Sequence, residues 1–267
     1  MATELSSRPS IVLFGDSLTE QGFGVNGRVG WASLLSADYS RRADVFNRGY
    51  FGYNSKHAVD LLPSLKSLLE GDVLFCTVYF GANDATTPGS KQFIPEEQFA
   101  TNLSTIITTI RSQKDRKVPI IVMTPPPLNG EAWAKFKGMA NRTNERHLRY
   151  GNIVKEVAKN CDCSVLDVWT LLEGNTSSDI YGNYLTDGLH LNEKGNRKLY
   201  QGLKDLIRNE YPDIVPQRAG SITGVKENVG MNFVDDWVSL IIILTSLPFS
   251  YYAVSRLCIQ PVFKMRP

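Results

Sequence analysis

Histidine is scarce in this chain, three residues in 267, and cysteine is hardly commoner at four. Cys76, Cys161, Cys163 and Cys258 follow neither a disulfide framework nor zinc-ligand spacing. Cys161-Asp162-Cys163 sets two thiols too close for a structural zinc pair without partners elsewhere, so all four read as buried or incidental thiols of a reducing compartment. A bias of charge is also missing. Lys and Arg number 29 against 27 Asp and Glu, and no basic stripe interleaves with aromatics, which excludes a nucleic-acid-binding reading. No basic segment followed by an apolar one precedes Ile11, so a cleaved signal peptide is not expected and the chain is placed in the cytoplasm. On that account the Asn-x-Ser/Thr triplets at Asn102, Asn141 and Asn175 read as silent.

Apolar residues make up 42% of the chain and charged residues 21%, a balance that supports a globular core. The chain is organised around Ile11-Val12-Leu13-Phe14, a buried strand stopped by Gly15-Asp16-Ser17. A serine just past the C-terminal end of a buried parallel strand stands where open α/β sheets put their ligands. Downstream, helical spacing covers 31–42, 56–69, 95–114, 141–160 and 192–209. Short strands are expected at 45–47, 72–80, 118–123 and 164–168, the second nearly all apolar, as a strand covered on both faces should be. Alternation of strand and helix at this spacing predicts a doubly wound α/β sheet.

Four segments at strand ends or in the last loop carry chemistry: Ser17, Gly52, Asn83, and Asp187 with His190. A serine hydroxyl is a poor nucleophile until a base takes its proton, and histidine suits that task near neutrality. A carboxylate on the other ring nitrogen fixes the tautomer and stabilises the imidazolium. The tetrahedral intermediate then needs donors, which a glycine N–H and an asparagine amide supply without deprotonation. Asp16 reads as holding its turn, and Asp84 as capping the segment after it rather than bonding across the site. His57 and His147 fall in expected helices at solvated or satisfied positions. Thr124 and Pro125–Pro127 are expected to wall an acyl pocket flanked by Phe51 and Tyr53. Trp31 and Trp133 are expected in core or lid packing, and Met139 in the core.

Gly15-Asp16-Ser17-Leu18, Gly49-x-x-Gly52, Gly81-x-Asn83-Asp84 and Asp187-x-x-His190 resemble the four blocks of the SGNH/GDSL hydrolase superfamily, over residues 10–210. Arg48–Ser55, Thr124–Pro127 and Trp133 are most similar to the isoamyl acetate-hydrolysing esterase group, plant-type GDSL esterases included. The resemblance implies a three-layer α/β/α fold with a five-stranded parallel sheet in flavodoxin-like order. It implies Ser17 as nucleophile, His190 as general base and then acid, and Asp187 as its orienter. Oxyanion donors would be the N–H groups of Ser17 and Gly52 and the side chain of Asn83. It requires no metal and no cofactor. The function it implies is hydrolysis of small or medium carboxylic esters, acetyl or short-chain acyl, through an acyl-enzyme. Two other readings stand beside it: a lipid or thioester acyl hydrolase at a membrane, and a non-catalytic interaction protein of the same fold.

Beyond a domain over 1–215 the composition changes. Residues 216–236 read as a linker, and 237–267 as an apolar tail. Trp237–Val254 is an uncharged run of eighteen residues flanked by Asp235, Asp236 and Arg256. Membrane contact through 237–254, packing of that segment on the domain, and an end of little function are the three expectations it allows.

Overall fold

The computed structural model describes residues 8–112, 118–175 and 182–216; the linker and the apolar tail lie outside the described residues. Five parallel strands, β1 (Ser10–Gly15), β2 (Asp44–Gly49), β3 (Val73–Tyr79), β4 (Ile120–Met123) and β5 (Ser164–Leu166), form one sheet in the order β2-β1-β3-β4-β5. That is the flavodoxin-like order, in which the chain reverses direction between β1 and β3 and opens a crevice at the strands' carboxyl ends. Hydrogen-bonded register pairs Phe14 with Arg48 on one side and with Val78 on the other, so β1 sits at the centre of that reversal.

Side-chain alternation on the strands explains the two cores. Ile11, Leu13, Phe75, Tyr79, Ile121 and Met123 face one layer. Val12, Phe14, Cys76, Val78, Ile120 and Val122 face the other. Over the first face lie α2 (Trp31–Tyr39) and α8 (Glu193–Glu210), the latter burying Leu199, Leu203 and Ile207 at four-residue spacing. Over the second lie α3 (Ser55–Leu69), α4 (Glu96–Arg111) and α6 (Asn144–Asn160), burying Leu62, Leu65, Phe99, Ile106, Tyr150 and Val154. Each fully buried Leu, Ile or Phe is worth about 1.5–3 kcal/mol of transfer free energy, so both layers hold the sheet. A polar clamp joins α2 to α8: Asn196 Oδ1 accepts from the Trp31 N–H at 3.1 Å.

Several boundaries move for local reasons. The helix expected over 31–42 ends at Tyr39, whose carbonyl takes the N–H groups of both Arg42 and Ala43 in a tight turn. The helix expected from residue 141 begins at Asn144, because the Thr143 hydroxyl caps it by accepting from the Arg146 N–H. The fifth strand stops at Leu166, since Asp167 caps the one-turn helix α7 (Val168–Leu171). Two further helices were not expected: α1 (Ser17–Glu20), and α5 (Gly130–Lys137) between Asn129 and Gly138.

Candidate active site

Ser17 is the first residue of α1, directly after β1, so it stands at the rim of the sheet beside the β1/β3 reversal. Asp16 caps this short helix, its Oδ1 accepting from the Leu18 N–H at 2.9 Å. As expected, Asp16 holds the turn. Gly15 has no substitute here: a Cβ would lie 2.1 Å from Thr19 Oγ1 and 2.7 Å from the Tyr79 carbonyl. At the first helical position the Ser17 N–H has no intrahelical acceptor, which leaves it available to an anion.

The loop before α8 brings the histidine to the serine. His190 Nε2 lies 2.9 Å from Ser17 Oγ, across 173 residues of chain. His190 Nδ1 lies 2.7 Å from Asp187 Oδ2, and Asp187 Oδ1 accepts from the N–H groups of Leu189 and His190 at 3.0 and 2.9 Å. Burial alone would raise the Asp187 carboxyl, but the hydrogen bond and charge of His190 and the two N–H groups outweigh it and hold it at about 2. Asp187 is therefore a carboxylate throughout the neutral range. The loop is anchored by Gly188, whose φ is +94° and whose carbonyl accepts from Asn129 N–H at 2.8 Å. A Cβ there would strike the Asn129 carbonyl at 2.4 Å and Trp133 N at 2.5 Å, so α5 packs directly against the loop that carries Asp187 and His190.

Gly52 and Asn83 line the same cavity as Ser17 and His190. Gly52 has a φ of +77°, a conformation glycine adopts freely. Gly49 does other work: a Cβ on it would come within 1.9 Å of Glu20 N, so it lets β2 close against α1. Asn83 is buried, its Nδ2 donating to the Tyr53 carbonyl at 2.8 Å. Behind it stands Arg142, also buried, which donates to the Ala82 carbonyl and at 2.7 Å to Asn83 Oδ1. Burial lowers Arg142 to about 10, which leaves it cationic at neutral pH; Asp16, Asp187 and Asp84 oppose the shift. Burial pushes Asp16 up to about 7 and Asp84 up to about 6, the latter against its hydrogen bonds from Ser55. Asp84 is structural but does not cap the segment after it: its Oδ1 accepts from the Ser55 N–H at 2.8 Å, at the start of α3.

The cavity has a volume of about 210 Å³. Its apolar walls are Phe51, Trp133, Met139 and Leu189. Phe51 and Trp133 also hold the imidazole, with ring centroids 5.8 and 6.2 Å from His190. Several expectations change here. Met139 lines the cavity and is 53% exposed rather than part of the core, whereas Trp133 is buried in the core, as expected, with one face on the cavity. Thr124 and Pro125–Pro127 are buried and form no part of the cavity wall, Thr124 Oγ1 instead binding Asp167. Tyr53 stacks on Tyr50 rather than facing the cavity, while Trp31 is core, as expected. The sequon asparagines are structural partners: Asn102 binds Ser55 Oγ, and Asn141 and Asn175 accept from the indoles of Trp133 and Trp169.

Arg142, Gln92 and the wall formed by α5 escaped sequence reasoning. Arg142 and Gln92 sit in polar loops where a lone charge or amide reads as solvated. The helix had a usable signal. Asn129 caps it by accepting from Ala132 N–H at 3.0 Å, and Gly138 ends it at a φ of +70°. Among the described residues no group of histidine, cysteine and carboxylate side chains is arranged to hold a metal, and no helix is long and apolar enough to cross a membrane.

The other two histidines are structural. His57 completes a capping box with Asn54 at the start of α3. His147 is fully buried, its Nδ1 2.8 Å from the Pro126 carbonyl, and burial followed by the charge of Arg142 lowers it to about 3. Because the folded value lies below the ordinary 6.5, the unfolded chain binds this proton more readily between those limits. The group's contribution is therefore complete above pH 6.5 and is lost as pH falls toward 3. Asp16 and Asp84, raised by burial, pull stability the opposite way between pH 3.8 and about 7. A variant separates the two: in His147→Gln the loss of unfolding free energy between pH 7 and 4.5 should shrink by about 2–3 kcal/mol, at roughly 1.4 kcal/mol per unit. Urea unfolding at the two pH values measures this, and identical pH dependence in variant and parent would remove His147 from the account.

Residues 13–198 match the GDSL-like Lipase/Acylhydrolase family. The isoamyl acetate-hydrolyzing esterase 1 homologs of Mus musculus and Homo sapiens are each 37% identical to this chain, over 207 and 212 residues. Those alignments span 74% and 76% of this chain and 81% and 82% of the relatives. A GDSL esterase/lipase of Arabidopsis thaliana is 32% identical over 218 residues, 76% of this chain and 87% of that one. The fold is shared with the lipase/acylhydrolase from Enterococcus faecalis, at a TM-score of 0.61 and 24% identity over 79% of this chain and 100% of that one. It is shared too with the acetyl xylan esterase AlAXEase, at 0.60 and 18% over 74% and 99%. Matched across most of its length, the chain belongs to the GDSL-like lipase/acylhydrolase family and is a carboxylic ester hydrolase of that kind.

Proposed function

We propose that this chain hydrolyses small carboxylic esters, acetyl or short-chain acyl, through an acyl-enzyme on Ser17. The observation that carries the reading is the continuous hydrogen-bonded line from Ser17 Oγ through the His190 ring to Asp187, opening on one cavity with Gly52 and Asn83. His190 Nε2 takes the Ser17 proton as Oγ attacks the ester carbonyl. The oxyanion is met by the N–H groups of Ser17 and Gly52 and by the Asn83 amide. Nε2–H then protonates the departing alcohol. Water, deprotonated by the same nitrogen, cleaves the acyl-enzyme and restores the serine. Asp187, held as a carboxylate, keeps the proton on Nδ1 and stabilises the imidazolium.

The cavity supports the acyl-size part of the reading. At about 210 Å³ it lies below the roughly 300–1,000 Å³ that encloses drug-sized ligands. The relatives' names point the same way, being those of isoamyl acetate-hydrolyzing esterase homologs, and a fold neighbour is an acetyl xylan esterase. A second reading, longer acyl chains, is favoured by the mouth of the cavity. Phe51, Phe136 and Met139 cluster about the neighbouring α5 and are 52%, 59% and 53% exposed, apolar surface that an extended chain could cover. A series of p-nitrophenyl esters from acetate to dodecanoate separates the two. The short-chain reading expects kcat/KM to peak between two and six carbons and to fall at least about tenfold by ten. A steady rise through ten carbons would transfer the assignment to lipid esters.

A further inference from the structure

Two side chains outside the four family blocks grip two of the three oxyanion donors, Gly52 and Asn83, from behind. Gln92 Nε2 donates to the Gly52 carbonyl at 2.8 Å and to Asn83 Oδ1 at 3.1 Å. Arg142 Nη2 donates to the same Asn83 Oδ1 at 2.7 Å and to Gln92 Oε1 at 3.3 Å. Arg142 is itself fixed, through Nη1 on the Ala82 carbonyl and by stacking its guanidinium 4.8 Å from the centre of the Trp133 ring. Gln92 is fixed at its backbone, where its carbonyl accepts from Asn54 Nδ2 at 2.9 Å.

We propose that Gln92 and Arg142 are positioning residues for the oxyanion hole, locking the Asn83 amide and the Gly52 turn and polarising the Asn83 N–H toward the developing charge. This rests on the ester-hydrolase reading of the same cavity and adds to it.

Counting donors and acceptors shows why the amide has one orientation. Asn83 Oδ1 receives two donors, one of them a cation. Turned over, the amide would aim its own N–H groups at the Arg142 and Gln92 N–H groups, leaving three sets of donors face to face in a buried place. In the observed orientation Nδ2 spends one hydrogen on the Tyr53 carbonyl and has a second free for substrate oxygen. A guanidinium on the amide oxygen draws electron density through the amide and strengthens that second N–H as a donor. In a site shielded from water, the cation's field also favours the oxyanion over the neutral carbonyl. Gln92 extends the same control to Gly52. It holds the carbonyl of the residue whose N–H is the other donor, and its Nε2 is the atom a Cβ on Gly52 would meet first, at 3.4 Å. One side chain thereby ties the two donors, 31 positions apart in sequence, into one rigid unit.

Donors aligned for the oxyanion act in the transition state and not on the bound ester, so their loss falls on kcat and spares KM. Gln92→Met keeps the length and removes both donations. Arg142→Lys keeps the cation, and with it the charge balance against Asp16 and Asp84, but loses the planar fork. On a short-chain p-nitrophenyl ester, each variant should lose about tenfold or more in kcat while KM stays within about twofold. Binding of an alkylboronic acid, which forms a tetrahedral adduct on serine, should weaken by the same factor as kcat/KM falls. Thermal unfolding confirms that each variant is folded, and a variant that is not is replaced by the other. If both folded variants keep kcat within twofold, or lose only KM with boronate affinity intact, the positioning role is wrong while the esterase reading stands. If the parent chain neither turns over the ester nor reacts at Ser17 with a fluorophosphonate, the esterase reading fails and this proposal fails with it.

Discussion

Ser17→Ala should lower kcat on a short-chain ester by at least about 10⁴-fold and abolish labelling by a fluorophosphonate. The reason is chemical before it is structural. Without Oγ the acyl-enzyme route closes, and only direct attack of water remains. The donors at Gly52, Asn83 and the backbone N–H of residue 17 survive the substitution, so the residue of activity should be that of an oxyanion hole alone, about 10³–10⁴ above uncatalysed hydrolysis. His190→Ala should cost a similar factor, and the double variant little more than either single one. The two side chains act through one 2.9 Å contact, and groups that work as a unit lose their joint contribution once. Stability should hardly change for Ser17→Ala, because the helix start it occupies is secured by the Asp16 cap and by Gly15. Unfolding midpoints therefore separate loss of chemistry from loss of fold. A Ser17→Ala protein that kept more than a tenth of its turnover would refute Ser17 as nucleophile.

The strands and the two large layers were legible because their signals are local. Val73–Tyr79 is apolar on both faces, since a packed apolar layer covers it from either side: Phe75 and Tyr79 one way, Cys76 and Val78 the other. The order of the strands is another matter. Nothing in Ile120–Met123 says that it lies beside β3 rather than β1; that came from resemblance to a family. The site divides along the same line. Ser17, Gly52, Asn83, Asp187 and His190 stand in short blocks ending strands or opening a helix, and the structure brings all but Asp187, which sits behind the imidazole, to one cavity. The walls were not legible. Met139 reads as core because it is apolar, yet its exposure is set by where the α5 turn leaves the surface, a tertiary fact. Arg142 fails for the opposite reason. In Ala140-Asn141-Arg142-Thr143 it looks solvated, and only the arrival of Ala82, Asn83, Gln92 and the Trp133 ring from three other segments makes it a buried cation.

Asp187→Asn should be nearly as damaging as loss of the serine, about 10⁴-fold in kcat, even though it changes one atom. The hydrogen bonds around the carboxylate dictate the outcome. Asp187 Oδ1 accepts from the Leu189 and His190 N–H groups, and only Oδ2 faces the imidazole. An asparagine must keep its carbonyl oxygen toward those two backbone donors, because turning its NH₂ toward them would bury donor against donor. Its NH₂ therefore points at His190 Nδ1 and can bond only a ring nitrogen that carries no proton. The imidazole's proton moves to Nε2, the nitrogen 2.9 Å from Ser17 Oγ, which then donates to the hydroxyl instead of accepting from it. The base is present, correctly placed and in the wrong tautomer. Substrate binding does not depend on that proton, so KM should hold within a few fold while kcat falls. Nitrogen-detected NMR of the histidine ring should show the proton on Nδ1 in the parent and on Nε2 in the variant. A loss under tenfold, or an unchanged tautomer alongside a large loss, would mean that Asp187 does not act by orienting His190.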